Sequence, residues 1–179
     1  MSKRKILVVV DMQKDFIDGA LGSKEAVAIV PNVVEKIKNW NGEIIVTYDT
    51  HLDCYMETRE GKYLPVPHCI HSTDGWQLNE EVQKALDGKE YETVYKPTFG
   101  SVTLVENLKG LDQMNTEVTL IGLCTDICVV SNAMLLKNHY FEMDVVVDAS
   151  CCAGVTPESH KAALTTMKMC QIEVVNDGN

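Results

Sequence analysis

Short, unbroken apolar runs alternate with mixed segments along the whole chain, and four of them lead to residues capable of chemistry. Ile6-Leu7-Val8-Val9-Val10 stops at Asp11, and Ile44-Ile45-Val46-Thr47-Tyr48 stops at Asp49. Thr93-Val94-Tyr95 stops at Lys96, and Val118-Thr119-Leu120-Ile121 leads into Gly122-Leu123-Cys124-Thr125-Asp126-Ile127-Cys128. Runs of this length and composition suit strands buried on both faces of a parallel sheet. The pattern predicts strands at 5–10, 43–48, 92–95, 116–121, 143–147 and 171–175. Helices are predicted at 31–40, 79–86, 101–109, 127–138 and 157–168. Such alternation defines βαβ units, and right-handed crossovers place the helices on both faces of the sheet. The carboxyl ends of the strands then share one edge, where ligands bind in open α/β sheets.

Local signals mark several boundaries. Pro31 suits a first helical turn, Asn41-Gly42 suits a stop at positive φ, and Thr156-Pro157-Glu158 is a strong helix start. Asp148 reads as an anchor for the turn after the fifth strand, with Cys151 and Cys152 packing beside it. Met134, Met143, Met167 and Met169 read as core filler, and Trp76 as an indole covering the core. The stretch 49–76 is long for a connection inside a compact domain, which suggests an ordered loop folded over a site.

Composition narrows the picture. A chain of 179 residues fits one domain spanning 1–179. No apolar run reaches membrane-spanning length, and residues 6–10 are too few for a signal peptide. The net charge of −10, with scattered basic residues, disfavours a nucleic-acid surface. Seven cysteines, an odd number without zinc-knuckle spacing, suit a reduced cytoplasmic protein with mostly buried, inert thiols.

Cys128 is the exception. It follows a strand and a short turn and opens a helix, whose free N–H groups favour thiolate and can hold an oxyanion. Thr125 or Asp126 can cap that turn. Asp11, at the end of an apolar strand, is placed to exchange a proton with the thiol. Lys96 precedes Pro97, so its backbone is extended and its side chain can reach over the sheet edge toward Asp11. Asp49, His51 and His68 offer oxygen and imidazole donors suited to zinc, iron or manganese.

These segments resemble the isochorismatase-like cysteine hydrolases, nearest to their nicotinamidase/pyrazinamidase branch. The resemblance rests on Val9-Val10-Asp11-Met12-Gln13-Lys14-Asp15-Phe16, Tyr95-Lys96-Pro97-Thr98-Phe99-Gly100-Ser101 and Gly122-Leu123-Cys124-Thr125-Asp126-Ile127-Cys128. It covers nearly the whole chain. It implies a three-layer α/β/α fold around a six-stranded parallel sheet, and a catalytic triad of Asp11, Lys96 and Cys128. It also implies a cis peptide at Leu123–Cys124 and an oxyanion hole from the backbone of Cys124 and Cys128. The branch carries a divalent metal, here on Asp49, His51 and His68, with Phe16 against the substrate ring; Gln13 and His71 are further substrate-binding candidates. Two departures stand out. Cys124 occupies a position that is usually alanine, and the middle histidine of the metal site is missing, leaving Glu57, Asp53 or a water as substitutes. The implied activity is hydrolysis of nicotinamide to nicotinate and ammonia through a thioester, by an enzyme with a small-molecule partner that can form homo-oligomers. Two alternatives are a metal-free hydrolase of another small amide or carbamoyl compound, and a non-catalytic thiol redox or binding domain using Cys124 and Cys128. An isochorismate-cleaving role is disfavoured, because those relatives lack cysteine at position 128.

Overall fold

The structure is a computed structural model, and it describes residues 3–178. Six strands form one parallel sheet: β1 (Arg4–Val10), β2 (Glu43–Asp49), β3 (Glu92–Lys96), β4 (Thr116–Leu123), β5 (Asp144–Ala153) and β6 (Glu173–Val175). Their order across the sheet is β3-β2-β1-β4-β5-β6. The chain thus winds outward one way from β1 and then restarts on its other side with β4. That reversal opens a crevice between the ends of β1 and β4, the usual ligand position in such sheets.

Alternation along β1 explains the layers. Ile6, Val8 and Val10 pack on one face with Leu104, Leu136 and Leu164, which lie on α5 (Val102–Asn107), α6 (Val130–His139) and α7 (Pro157–Met169). Leu7 and Val9 pack on the other face with Ile17, Val33 and Val82. These lie on α1 (Lys14–Ile17), α2 (Lys24–Asn39) and α4 (Glu80–Leu86). A strand buried on both sides needs apolar residues at every position, hence the unbroken run.

Several boundaries differ from expectation. Helix α2 begins well before Pro31, capped by Ser23, whose side chain accepts the Ala26 N–H; Pro31 lies inside it. The helix ends at Trp40, and neither Asn41 nor Gly42 has positive φ. Gly42 answers to crowding instead: a Cβ there would lie 2.4 Å from the Lys5 carbonyl oxygen. β5 runs to Ala153, so Asp148, Cys151 and Cys152 belong to the strand and not to a following turn. Its register with β4 shifts between Leu120 and Gly122. Asp148 sits in that irregularity, taking Lys36, Ser150 and Asn176 as partners. Met169 is 78% exposed and so is no core filler, and Cys54 and Cys170 are exposed as well. The expected start of α7 is present as a reciprocal capping pair between Thr156 and Ser159.

The loop 49–76 is ordered, as anticipated, and holds one further short helix, α3 (Arg59–Tyr63), capped by Thr58. Trp76 closes it over the sheet, donating its indole N–H to Thr50. Among the described residues, no helix is long and apolar enough to cross a membrane.

Candidate active site and metal centre

Strand register brings the chemistry to one level. Val10, next to Asp11, is opposite Thr47 on β2 and Gly122 on β4, while Asp49 is opposite Lys96 on β3. Asp11 has a positive φ of 48°, which turns it off the strand into the crevice. Its Oδ1 accepts the Thr47 hydroxyl at 2.6 Å. The Lys96 ammonium, fully buried, lies 2.6 Å from Asp11 Oδ2, 3.5 Å from Cys128 Sγ and 3.6 Å from Asp49 Oδ1. It also donates to the Thr98 carbonyl at 3.1 Å. The Asp11 contact, a short buried ion pair, draws the carboxylate and the ammonium together and opposes the effect of burial on both.

Electrostatics follow from that burial. Loss of water pushes the Cys128 thiol well above its ordinary range; the Asp11 charge adds to this and Lys96 opposes it. Burial likewise raises the Asp11 carboxyl, against the pull of Lys96, with Asp49 adding a further push upward. Burial works against the Lys96 charge, but Asp11, Cys128 and Asp49 outweigh it and lift the ammonium above the usual lysine value. Thiol and carboxylate are thus both shifted toward their protonated forms beside a fixed positive charge. Such a pair titrates as a unit.

Cys128 does not open a regular helix. It sits in a single wide turn, Thr125–Val129, that precedes α6. The Cys124 carbonyl accepts from Ile127 at 3.1 Å and Val129 at 3.0 Å, passing over the N–H of Cys128 between them. The peptide Leu123–Cys124 is cis, as the resemblance implied. Neither Thr125 nor Asp126 caps the turn through its side chain: Asp126 accepts the Val155 N–H, and Thr125 pairs with His160. Asn132, buried on α6, ties the turn to the segment after β3 by bonding Ser101 N–H and the carbonyls of Cys128 and Phe99.

Cys128 opens onto a cavity of about 360 Å³ whose wall is mainly apolar, with Phe16, Leu64, Phe99, Ile127 and Val155 among its lining. Cys124 lines it too; burial pushes that thiol up to about 12, leaving it protonated at neutral pH. Glu60 and His68 mark the polar end. Phe16 packs against His68 with ring centroids 5.5 Å apart.

At that end Asp49, His51 and His68 bring their donor atoms within 4.8 Å of one another. His51 Nε2 is 3.0 Å and His68 Nε2 3.6 Å from Asp49 Oδ2. Glu60 Oε1 completes the cluster, 3.7 Å from His51 Nε2 and 3.8 Å from His68 Nε2. The His68 Nδ1 donates to the Val66 carbonyl at 2.8 Å, leaving Nε2 as the free donor atom. Two imidazole nitrogens and the Asp49 carboxylate converging on one point, with Glu60 beside the imidazoles, suit a zinc-type cation. Of the loop's acids it is Glu60, on α3, that lies beside both imidazoles, while Glu57 and Asp53 are exposed.

Two expected substrate contacts are not brought to the cavity. Gln13 is buried and fully used on backbone, exchanging bonds with Asp49 and donating to Trp76. His71 is exposed and stacks on Trp76 at 4.8 Å, outside the lining. Thr47 and Glu60 escaped the sequence reading. A hydroxyl interrupting the apolar β2 run, and an acid one turn into a Thr-capped helix within the long loop, are the signals that could have found them.

A doubly wound sheet with a buried carboxylate, ammonium and thiol at its switch point is the architecture of an α/β hydrolytic enzyme, and the thiol is set among groups suited to proton exchange. The chain belongs to the isochorismatase family, whose domain model matches residues 5–177. It is 25% identical to a nicotinamidase of Schizosaccharomyces pombe, over 99% of this chain and 95% of that one. A solved nicotinamidase/pyrazinamidase of Bacillus subtilis superposes with a TM-score of 0.83 at 25% identity, covering 96% of this chain and 98% of that one. A Pyrococcus horikoshii pyrazinamidase solved in complex with zinc gives 0.78 at 27% identity, covering 96% and 98% respectively.

Proposed function

We propose that this protein is an amidohydrolase that converts nicotinamide to nicotinate and ammonia through a thioester on Cys128. The observation that carries the reading is the Lys96 ammonium, placed between Asp11 at 2.6 Å and Cys128 at 3.5 Å beside a ring-sized cavity. Asp11 takes the thiol proton as sulfur attacks the carboxamide carbon. The C–S bond forms, the carbonyl pair moves to oxygen, and the N–H groups of Cys124 and Cys128 receive that oxyanion. Asp11 then passes its proton to the amide nitrogen, the C–N bond breaks, and ammonia leaves. Water attacks the thioester while Asp11 accepts its proton, and cleavage of C–S returns acid and thiol. Lys96 keeps the developing charges balanced throughout.

Asp49, His51, His68 and Glu60 are the residues that would hold a divalent metal. When bound, that ion supplies a Lewis-acid anchor for a ring nitrogen of the substrate. Phe16 and the apolar wall orient the ring, and the dry cavity excludes bulk water from the sulfur. The donor cluster weighs against the metal-free alternative, and the charged pair around Cys128 against a silent thiol domain. The seven free cysteines fit the reducing cytoplasm that composition suggested.

The test is ammonia release from nicotinamide and pyrazinamide by zinc-loaded protein. Turnover retained in Cys124→Ala and abolished in Cys128→Ala is the expected result. A metal-replete protein inert toward both amides overturns the substrate assignment.

A further inference from the structure

We propose that His160 is a positioning residue for the nucleophile turn, holding through Thr125 the bend whose N–H groups receive the carbonyl oxygen. The proposal rests on the reading of Cys128 as the acyl acceptor, but not on which amide is cleaved. The bend is a single wide turn, with one carbonyl shared by Ile127 and Val129, a backbone geometry that is rare and seldom extends beyond one turn. Restraint comes from elsewhere in the chain. Thr125 is fully buried, and its Oγ1 lies 2.8 Å from Nδ1 of His160 on α7. Its neighbour Asp126 takes the Val155 N–H on both carboxylate oxygens, each at 3.2 Å. Two successive residues of the turn are therefore fastened to the corner joining β5 and α7.

That corner has no slack. A Cβ at Gly154 would lie 2.9 Å from the Cα, Cβ and N of His160, so helix and corner are in closest packing. Burial lowers the basicity of His160, with Asp126 acting the other way, and the neutral ring leaves one nitrogen able to accept a hydroxyl. His160 is absent from the cavity lining, whereas Val155 is part of it. Its action on the reaction runs through Thr125 and the backbone.

An aldehyde separates oxyanion placement from thiol reactivity. When Cys128 adds to pyridine-3-carbaldehyde, an S–C bond forms and the C=O π pair moves to oxygen. That oxygen takes the thiol proton by way of Asp11, and nothing leaves. Alkylation by iodoacetamide uses the same sulfur, expels iodide and forms no oxyanion. Aldehyde capture by zinc-loaded protein is expected to weaken at least about tenfold in His160→Leu and in Thr125→Val, with no further loss in the double variant. His160→Asn, which restores a polar atom near the Nδ1 position, should return capture to within about threefold of the parent. Iodoacetamide alkylation mapped to Cys128 should stay within about twofold throughout. Capture undiminished in His160→Leu and Thr125→Val overturns the proposal, as does failure of His160→Asn to rescue. Capture and alkylation falling together also overturn it, because His160 would then act on the thiol or on the fold. If the parent protein captures no aldehyde and releases no ammonia, the acyl-acceptor reading itself falls, a result distinct from the others.

Discussion

Lys96 is a single ammonium shared by three acids, and most of the site's behaviour follows from that ratio. Asp11 and Asp49 compete for it from two sides, with the Cys128 thiol as the third claimant. In Asp11→Asn one of the charges that raise Cys128 is gone, while Lys96 stays 3.5 Å from the sulfur and pulls its pKa down. The thiol should then ionise at lower pH than in the parent. The pH midpoint of Cys128 alkylation is expected to drop by at least about one unit while amide turnover falls at least about 100-fold. An upward shift would show that Asp11 does not oppose thiolate formation. The convergence of Asp11, Lys96 and Cys128 was legible because each follows an apolar strand whose direction the pattern already gave. Gln13 and His71 misled for the opposite reason: they lie near the motifs in sequence, but their side chains turn to backbone and to solvent.

Elements came through where periodicity alone decides them. All six strands were foreseen, since burial on both faces leaves an unmistakable run. Boundaries set by capping or packing were harder. The early start of α2 depends on Ser23, and Pro31 points to a first turn because a proline inside a helix both loses a backbone bond and crowds the carbonyl four residues earlier, a cost this helix bears. The wide turn before α6, Thr125–Val129, has no capping or periodic signal that sets it apart from the start of a regular helix. Gly122 does leave a clear demand: φ is +115°, and a Cβ would lie 2.1 Å from the Val10 carbonyl oxygen. Gly122→Ala must therefore push β4 away from β1 at the Val10–Gly122 pair, one residue before Asp11. A loss of about 3 kcal/mol or more in urea unfolding is expected, together with loss of turnover. A variant as stable and active as the parent would mean that the two strands tolerate separation there.

At the scale of the whole molecule, the metal donors come from β2 and from the long loop after it, so an ion would fasten that loop to the sheet. The net charge of −10 favours cation uptake in general, but only a built site gives selective stabilisation. Zinc at about 100 times its dissociation constant should add about 2.7 kcal/mol and raise the melting temperature by roughly 5–10 °C. Glu60→Gln should shrink that rise at equal zinc, and His51→Ala should abolish it. Equal shifts in all three proteins would mark surface binding instead. The clustering of the loop's histidines beside Asp49 was legible from its length and composition, whereas the place of Glu60 next to them depended on the path of α3, which no periodic pattern announces.

The winding order has a further consequence. Strands one to three, with their loops, bring the acid, the ammonium and all four candidate metal donors; strands four to six bring the sulfur and the oxyanion bend. The dividing line coincides with the central β1–β4 seam, so the polypeptide is composed of two successive lobes of sequence, neither a catalyst alone. Covalent continuity between residues 107 and 116 serves to join complementary halves, and turnover belongs to their union.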